Sequence, residues 1–403
     1  MIILRPDNDG GVIFNSQNGT QVWLDGAGFI LALKLARKEK LSEKENEFAI
    51  KVRNELGLSK DEPIKIIKPS PFTMKARSFR QLAIPALVDL QITELCNLAC
   101  PHCYAESGRT GKHLPLSEML PLFKECSELG VLEVALGGGE PTLHPEFEEI
   151  LKTIADLDMV PNLATNGRAM TLKTARLIKK YAGAVALSVE FIGDKFKKRR
   201  GFEFTDWLKA VAKLKAVGVR LVFQLTVSSS NIDELPEVVD YLIGLKPYAI
   251  IFLTYKPAGR GKQFDAPLAT LDFSHVKKQL RKVFAMSNGK VKFGYDCCMG
   301  QGLVGWGLAG DEEIEGCSAL RSSLAIDVDL NLYPCSFSAI PVGNLRNNTM
   351  MELWSSDKAE FFRNNFEQNR KKQGCKDCSY GSRCLGGCPE FKLLGCYKKT
   401  GAE

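Results

Sequence analysis

The sequence predicts an α/β fold of six strand-helix units, with a small α+β module in front and a cysteine-rich segment behind. Three observations carry this. Apolar, β-branched runs near 88–92, 132–136, 160–165, 185–190, 221–227 and 249–255 alternate with helical patterns near 116–129, 145–157, 172–181, 206–217 and 232–245. Such alternation calls for parallel strands joined by right-handed crossovers. Upstream, strand-like stretches at 11–15 and 20–24 flank Ser16-Gln17-Asn18-Gly19, and Asn-Gly is a preferred hairpin turn. Beyond about residue 290 the pattern gives way to cysteine, which holds nine of the chain's thirteen.

Taken in order, residues 1–70 read as a hairpin followed by two helical stretches, one from Phe29 to Lys38 with apolar residues on most faces and an amphipathic one from Glu43 to Leu56 that stops at Gly57. Residues 65–80 hold Pro69, Pro71 and several basic side chains, which is linker composition. Residues 71–290 hold the six units. In the last helix Asn231 and Glu234 have the spacing of a capping box. Residues 291–403 form the cysteine-rich part.

At 403 residues and 45% apolar content the chain can bury two or three cores. No run of about 18 apolar residues occurs and Met1-Ile2-Ile3-Leu4-Arg5-Pro6 lacks a signal-peptide layout, so a cytoplasmic protein with no membrane partner is expected. Thirteen cysteines in a reducing compartment argue for metal ligation over disulfides. The net charge of +7 is spread over 54 basic and 47 acidic residues, and no nucleic-acid partner follows from it.

The chemistry centres on Cys96-Asn97-Leu98-Ala99-Cys100-Pro101-His102-Cys103-Tyr104. Three thiolates can hold three corners of an iron-sulfur cube that normally takes four cysteines, leaving one iron open. An open position marks a catalytic metal site, by the logic that separates catalytic from structural zinc. Three close cysteines also suit zinc or an electron-transfer cluster. Cys-x3-Cys-x2-Cys after an apolar strand, with an aromatic following, resembles the cluster loop of radical S-adenosylmethionine (SAM) enzymes. That resemblance implies a partial (β/α)6 TIM-like barrel with chemistry at the C-terminal strand ends. It also implies a [4Fe-4S] cluster that binds SAM through its open iron and cleaves it to a 5'-deoxyadenosyl radical, with flavodoxin or ferredoxin as reductant.

Further motifs fall at the ends of the expected strands. Gly137-Gly138-Gly139-Glu140-Pro141 combines glycines that permit close backbone approach with a carboxylate that can accept from an ammonium. It resembles the family motif that holds the amino group of SAM, which assigns Gly138, Gly139 and Glu140 to the cofactor. Thr165-Asn166-Gly167 matches a frequent family triplet, giving Thr165 and Asn166. Ser188 and Glu190 share one strand face, and relatives use a serine and an acid here near the ribose and methionine of SAM, although many have Asp-Gly where this chain has Glu190-Phe191. The basic run 195–201 reads as a solvated loop or as the source of Arg199 or Arg200 for a carboxylate, with Arg200 the chosen contact. Gln224 and Thr226 share a face of the fifth strand, with Gln224 placed at the cofactor. Pro257-Ala258-Gly259-Arg260-Gly261 resembles a Pro-x-Gly-Arg signature and counts as fold evidence. His144 is expected to make a structural hydrogen bond and Cys126 to be a buried small apolar residue.

Cys375-x2-Cys378-x5-Cys384-x3-Cys388, followed by Cys396 and preceded by Cys317 and Cys335, resembles the auxiliary-cluster extension called SPASM. The resemblance implies two auxiliary iron-sulfur clusters, of [4Fe-4S] type. One would use Cys375, Cys378, Cys384 and Cys396. The other would use Cys317, Cys335 and Cys388, with Cys298, Cys297 or neither as fourth ligand. Where relatives have a turn glycine, this chain has Leu330-Asn331, and a shifted turn through Asn331 would keep Tyr333-Pro334-Cys335 in place.

The function expected is oxidative modification or cross-linking of a ribosomally made precursor peptide, with the N-terminal module either resembling peptide-recognition modules that hold a leader as an added strand or serving as a plain cap on the catalytic domain. The alternatives are a sulfatase-type Ser/Cys oxidising maturase, a tetrapyrrole or aminoglycoside dehydrogenase, and an iron-sulfur electron carrier that never cleaves SAM.

Overall fold

The computed structural model describes residues 2–7, 10–16, 19–58, 62–67, 81–287, 289, 291–308, 310, 316–372 and 375–391. The chain opens with β1 (Ile2–Asp7), β2 (Gly10–Asn15) and β3 (Thr20–Asp25), then α1 (Gly26–Ala36), α2 (Glu43–Leu56) and β4 (Ile64–Ile66). These strands form one sheet in the order β3-β2-β1-β4, antiparallel except for the parallel pair β1/β4. At the expected hairpin turn, Gln17 and Asn18 lie outside the described residues, while Gly19 takes a left-handed φ of 68° and donates to the Asn15 carbonyl at 2.8 Å. A capping box between Ser42 and Glu45 starts α2, and Gly57 at φ 67° ends it. The expected linker is corrected at its start, because Lys65 and Ile66 belong to β4, and Ile67 still donates to the Leu4 carbonyl at 2.9 Å. Its residues 68–80 lie outside the described set.

This module is fastened to the next one. Ile3, Val12 and Phe14 share a core with Leu82, Ala86, Leu132 and Val160. Arg5, 1% exposed, donates to the carbonyls of Ile84, Pro85 and Gly130 at 3.2, 3.1 and 3.0 Å. Burial pulls its pKa down to about 10 against the pull of Asp7. Those three carbonyls would otherwise face an apolar joint without donors, so the guanidinium serves as a staple between the two cores.

The parallel run is β5 (Leu87–Thr93), α3 (Leu116–Leu129), β6 (Glu133–Gly138), α4 (Phe147–Asp156), β7 (Val160–Thr165), α5 (Leu172–Tyr181), β8 (Val185–Ser188), α6 (Gly193–Arg200), α7 (Phe204–Ala216), β9 (Leu221–Val227), α8 (Leu235–Gly244) and β10 (Ala249–Thr254). Each strand pairs in parallel with the next, so β5 to β10 is the expected partial (β/α)6 barrel. The apolar helix faces and the outward strand residues form one core that includes Phe123, Ile150, Trp207 and Leu242.

After α9 (Phe273–Ala285), the sheet continues past the expected boundary at 290. The strand β11 (Lys292–Tyr295) adds to β10 in parallel, and α10 (Cys297–Gly305) follows. The strand β12 (Ser323–Ile326) adds in parallel to β5 on the opposite edge, and β13 (Asn331–Tyr333) and β14 (Gly343–Asn344) extend it antiparallel. The helices α11 (Met350–Trp354), α12 (Asp357–Lys371) and α13 (Gly381–Cys384) complete the chain's described elements. Among the described residues, no helix is long and apolar enough to cross a membrane.

Three local expectations are corrected. The capping box at Asn231 does not form: α8 starts at Leu235, and Asn231 closes the preceding turn by accepting from Ser228 N at 2.9 Å and donating to the Thr226 carbonyl at 2.8 Å. The basic run is the helix α6 rather than a loop, because Phe196 is fully buried against Phe202, Phe204 and Trp207 and Gly201 stops the helix at φ 78°. The turn before Cys335 is not shifted to Asn331. Leu330 itself takes φ 62°, 5% exposed, while Asn331 starts β13.

Candidate metal and cofactor site

The cluster loop follows β5 and is gripped from two sides. On one side the Gly138 and Gly139 motif meets it. A Cβ on Gly138, at φ 111°, would sit 2.2 Å from the Thr93 carbonyl oxygen, and one on Gly139 would sit 2.1 Å from that of Leu95. Gly139 N donates to Thr93 at 2.7 Å and Glu140 N donates to Leu95 at 2.8 Å. These glycines therefore let two backbones touch, and the close approach expected toward a ligand is made to the loop that carries the cysteines. On the other side, Arg260 donates through N to the Cys103 carbonyl at 3.0 Å, through Nε to Cys100 at 3.1 Å and through Nη2 to Ser107 at 2.7 Å. A Cβ on Gly259 would meet the Tyr104 carbonyl at 2.3 Å.

Glu140 is 1% exposed and partnered at both oxygens, with a single donor at Oε2. It accepts from the hydroxyls of Thr142 and Thr165 at 2.5 and 2.6 Å and from Asn166 N at 2.8 Å. Burial pushes its pKa up and these donors pull it back. Asn166 also reaches the loop, through Asn97 Oδ1 at 2.9 Å and Cys96 Sγ at 3.7 Å. Thr165 and Asn166 thus hold Glu140 and the loop together.

Glu190 and Arg200 form a buried bidentate pair, with Nε to Oε2 at 2.7 Å and Nη2 to Oε1. His102, from the cluster loop, approaches Glu190 at 3.7 Å. Burial alone would raise the Glu190 carboxyl, but Arg200 and His102 overcome it and hold it low. The Cys100 thiol lies 4.0 Å from the Arg200 carbonyl. Arg199 turns away to Asp265 at 3.0 Å and stacks on Phe264. Of the two arginines, Arg200 lines the cavity that holds the cluster loop. Ser188, Gln224 and Thr226 line the same cavity. His144 accepts from Glu146 N at 3.1 Å and reaches the Leu114 carbonyl at 2.9 Å, while Cys126 is fully buried, both as expected.

The cavity measures about 550 Å³ and reaches from the Cys96/Cys100/Cys103 loop to Cys297, Cys298, Cys317, Cys335 and Cys388. Both cysteine sets open onto one space. The far set holds five thiols. Cys297 and Cys298 lie 4.0 Å apart at the start of α10, Cys297 contacts Cys317, and Cys298 contacts Cys388. Asp296 fixes that helix start: it accepts from Met299 N at 3.0 Å, from Thr254 N at 3.0 Å, from Thr254 Oγ1 at 2.9 Å and from Lys256 at 2.7 Å. Four cysteines complete a [4Fe-4S] cluster, so the structure brings one thiol more than that set needs. Cys375 and Cys378 follow between α12 and α13 and Cys384 ends α13, and a Cβ on Gly316 would meet the carbonyls of Arg383 and Cys384 at 2.4 and 3.0 Å, which joins the two segments. Cys396 lies outside the described residues. Among the described residues, no three His, Cys, Asp or Glu side chains close on a position for a single metal ion.

The donor sets fit soft, multi-iron centres, since clustered thiols line a shared cavity. Burial pushes the Cys96 thiol up to about 11 and raises Cys100, so ligation there must release protons. Residues 90–242 match the model of the radical SAM superfamily, and residues 317–379 match that of SPASM, an iron-sulfur cluster-binding domain.

The chain carries a radical SAM domain followed by a SPASM domain.

Its cofactors are accordingly a SAM-binding [4Fe-4S] cluster, SAM itself and auxiliary iron-sulfur clusters. This radical SAM/SPASM chain is 26% identical over 327 residues to the AdoMet-dependent heme synthase of Methanosarcina barkeri, covering 75% of this chain and 90% of that protein. It is 22% identical over 375 residues to the sporulation killing factor maturation protein SkfB of Bacillus subtilis, covering 86% and 85%. Its fold is similar to that of Streptococcus suis SuiB bound to precursor peptide SuiA, with a TM-score of 0.72 at 18% identity over 96% of this chain and 94% of that one.

Sequence reasoning missed several residues at this site. Arg260 was read only as a fold marker. Asp296 and Lys256 carried no motif. Asp89 had a signal, because it alternates with Gln91 on one face of β5 while Val88, Leu90 and Ile92 occupy the other. A polar face on a strand of a buried parallel sheet points to an internal cavity.

Proposed function

We propose that this radical SAM/SPASM enzyme oxidatively modifies or cross-links a ribosomally made precursor peptide, and that the N-terminal sheet holds the peptide's leader. The observation that carries this reading is the edge of β3, which pairs only with β2 among the described residues, on a sheet stapled to the barrel by Arg5. An open edge can accept an added strand through main-chain hydrogen bonds. Support also comes from SkfB, by name a sporulation killing factor maturation protein, whose match extends over 86% of this chain, and from the likeness to SuiB, a structure with its precursor peptide bound.

In this reading Cys96, Cys100 and Cys103 hold the first cluster, which with SAM bound supplies a carbon radical able to abstract hydrogen. Glu140, already oriented by Thr142, Thr165 and Asn166, accepts from the SAM amino group. Arg200 presents a guanidinium to the SAM carboxylate, and Glu190 positions Arg200 and the imidazole of His102. Ser188 and Gln224 border the remaining cofactor contacts. Cys317, Cys335, Cys388 and one of Cys297 or Cys298 hold one auxiliary cluster, and Cys375, Cys378, Cys384 and Cys396 hold the other. The reading also requires an external one-electron donor of flavodoxin or ferredoxin type.

Anaerobic incubation with SAM, a reductant and each short peptide encoded beside the gene tests this. One 5'-deoxyadenosine per peptide that has lost two hydrogens is the expected result. Removal of the whole module would uncover Leu82, Ala86, Leu132 and Val160, so the leader site is better tested within β3. Successive residues of a strand direct their N–H groups to opposite edges, so one of Gln21→Pro and Val22→Pro strikes only the open edge. That variant is expected to fold and to lose leader binding. The heme synthase relative supports a second reading, a tetrapyrrole substrate. Conversion of an iron-porphyrin carboxylate, with every peptide left unchanged, would establish it instead.

A further inference from the structure

Beside the main cavity lies a smaller one of about 250 Å³, where β5 of the barrel meets β12 and β13. Asp89 lines both. It lies at mid-strand in β5, so alternation turns its side chain inward while Val88 and Leu90 enter the outer core. The carboxylate accepts from the Ser336 hydroxyl, its sole hydrogen-bond partner among the described residues. A carboxylate offers about four acceptor positions, so most of this one's capacity is unused among the described residues.

The neighbouring groups are otherwise engaged. Asp327 also borders the cavity, but it accepts from the N–H groups of Asp329 and Asn331 at 2.9 Å each, from Asn331 Nδ2 at 2.9 Å and from the Tyr333 hydroxyl at 3.1 Å. Lys256, on the main cavity, is held by Asp296 at 2.7 Å. The cavity's aromatic walls are Tyr104 and Tyr333. Tyr104 is kept in place by Phe337, whose ring centre is 4.6 Å away. At about 250 Å³ the space falls below the roughly 300–1,000 Å³ of pockets that take drug-sized ligands. It suits a single side chain.

We propose that this smaller cavity is a subsite for an unbranched alkylammonium, with the cation bound by Asp89 and the methylenes lying along Tyr104 and Tyr333. In the peptide reading, on which this part rests, the occupant is a lysine side chain of the substrate. An ammonium brings three donors to a carboxylate that has one, and the tyrosine faces favour a cation close to them. Burial raises the Asp89 carboxyl against the pull of Ser336, and a bound cation opposes that rise. The subsite borders the main cavity at Tyr104 and Cys335, so a side chain seated there holds its own backbone between the two cysteine sets.

The test uses the anaerobically reconstituted holoenzyme with SAM and three probes followed by saturation-transfer NMR: N-acetyl-lysine methylamide, N-acetyl-norleucine methylamide and n-butylamine. Wild type is expected to prefer the lysine derivative over the norleucine one by about ten-fold or more, as for a hydrogen bond to a charged group. Asp89→Asn should erase the preference and Asp89→Glu should retain part of it, with iron content and melting temperature confirming that each variant is assembled. Equal binding of the lysine and norleucine derivatives to wild type, a preference that survives in Asp89→Asn, or no binding of any probe overturns the proposal. Asp89-dependent binding of n-butylamine without binding of the lysine derivative keeps the cation subsite and removes the peptide reading.

Discussion

The two cysteine sites that share the main cavity are assembled in opposite ways. Cys96, Cys100 and Cys103 lie on one short loop, and distant parts of the barrel close around it, Gly138 to Glu140 and Arg260 on its backbone and Asn166 on its side chains. Cys297, Cys298, Cys317, Cys335 and Cys388 come from four separate segments and meet only when β11, β12, β13 and the C-terminal helices are in place. In the first site the ligands are local and the support is tertiary. In the second the ligands themselves are tertiary, so loss of one segment removes a donor.

The sharpest break of the comparison is the variant Cys96→Ala/Cys100→Ala/Cys103→Ala. Reconstituted iron is expected to fall from about twelve to about eight per chain, four for each cubane, and reductive SAM cleavage to vanish. Retained cleavage would end the catalytic assignment of the loop. The second site should respond unevenly. With five thiols for four positions, one of Cys297→Ser and Cys298→Ser is expected to keep all its iron and the other to yield an auxiliary cluster with an altered EPR spectrum. Identical full loss from both would mean that neither thiol is spare. Next in size is Arg260→Ala, which removes two side-chain donors from the carbonyls of Cys100 and Ser107 and leaves all cysteines intact. Each such bond to a charged group contributes roughly 1.5–3 kcal/mol. The loop cluster should therefore be lost to a chelator faster than in wild type, while the auxiliary clusters are lost at an unchanged rate. Parallel acceleration at both sites would show that Arg260 supports the fold as a whole.

The same contrast explains what the sequence made legible. The six parallel strands were readable because each is a short apolar run between helical patterns, and α5 was located residue for residue at Leu172–Tyr181. The cluster loop was readable because its ligands are local. The close approach at Gly138 and Gly139 was legible, but only the fold reveals that it is made to the backbone of Thr93 and Leu95. Arg260 lies about 160 residues from the carbonyl it grips, and no spacing rule connects them. Cys297 and Cys298 stayed ambiguous because the start of α10 is set by Asp296 binding Thr254 and Lys256 across the sheet. The basic run at α6 misled because its one apolar anchor, Phe196, is outnumbered by lysines and arginines.

The smallest expected effect concerns the turn that delivers Cys335 to the second site. Leu330 holds φ 62° where a glycine would be unstrained, and a left-handed conformation costs an L-residue roughly 1–2 kcal/mol. The same side chain is 5% exposed and packs in the main core, which stabilises by roughly 1.5–3 kcal/mol. The two terms nearly offset. Leu330→Gly should therefore lower stability by no more than about 1–2 kcal/mol in a urea titration. By contrast, Leu332→Gly, fully buried in β13 with no strain to relieve, should cost more than that. The auxiliary cluster should survive Leu330→Gly, because Leu345 N donates to the carbonyl of residue 330 at 2.9 Å and Asn331 N donates to Asp327 Oδ1 at 2.9 Å, and neither bond uses the side chain of residue 330. A loss as large as that of Leu332→Gly would mean that burial of Leu330, rather than the shape of its turn, holds this arm of the second site together.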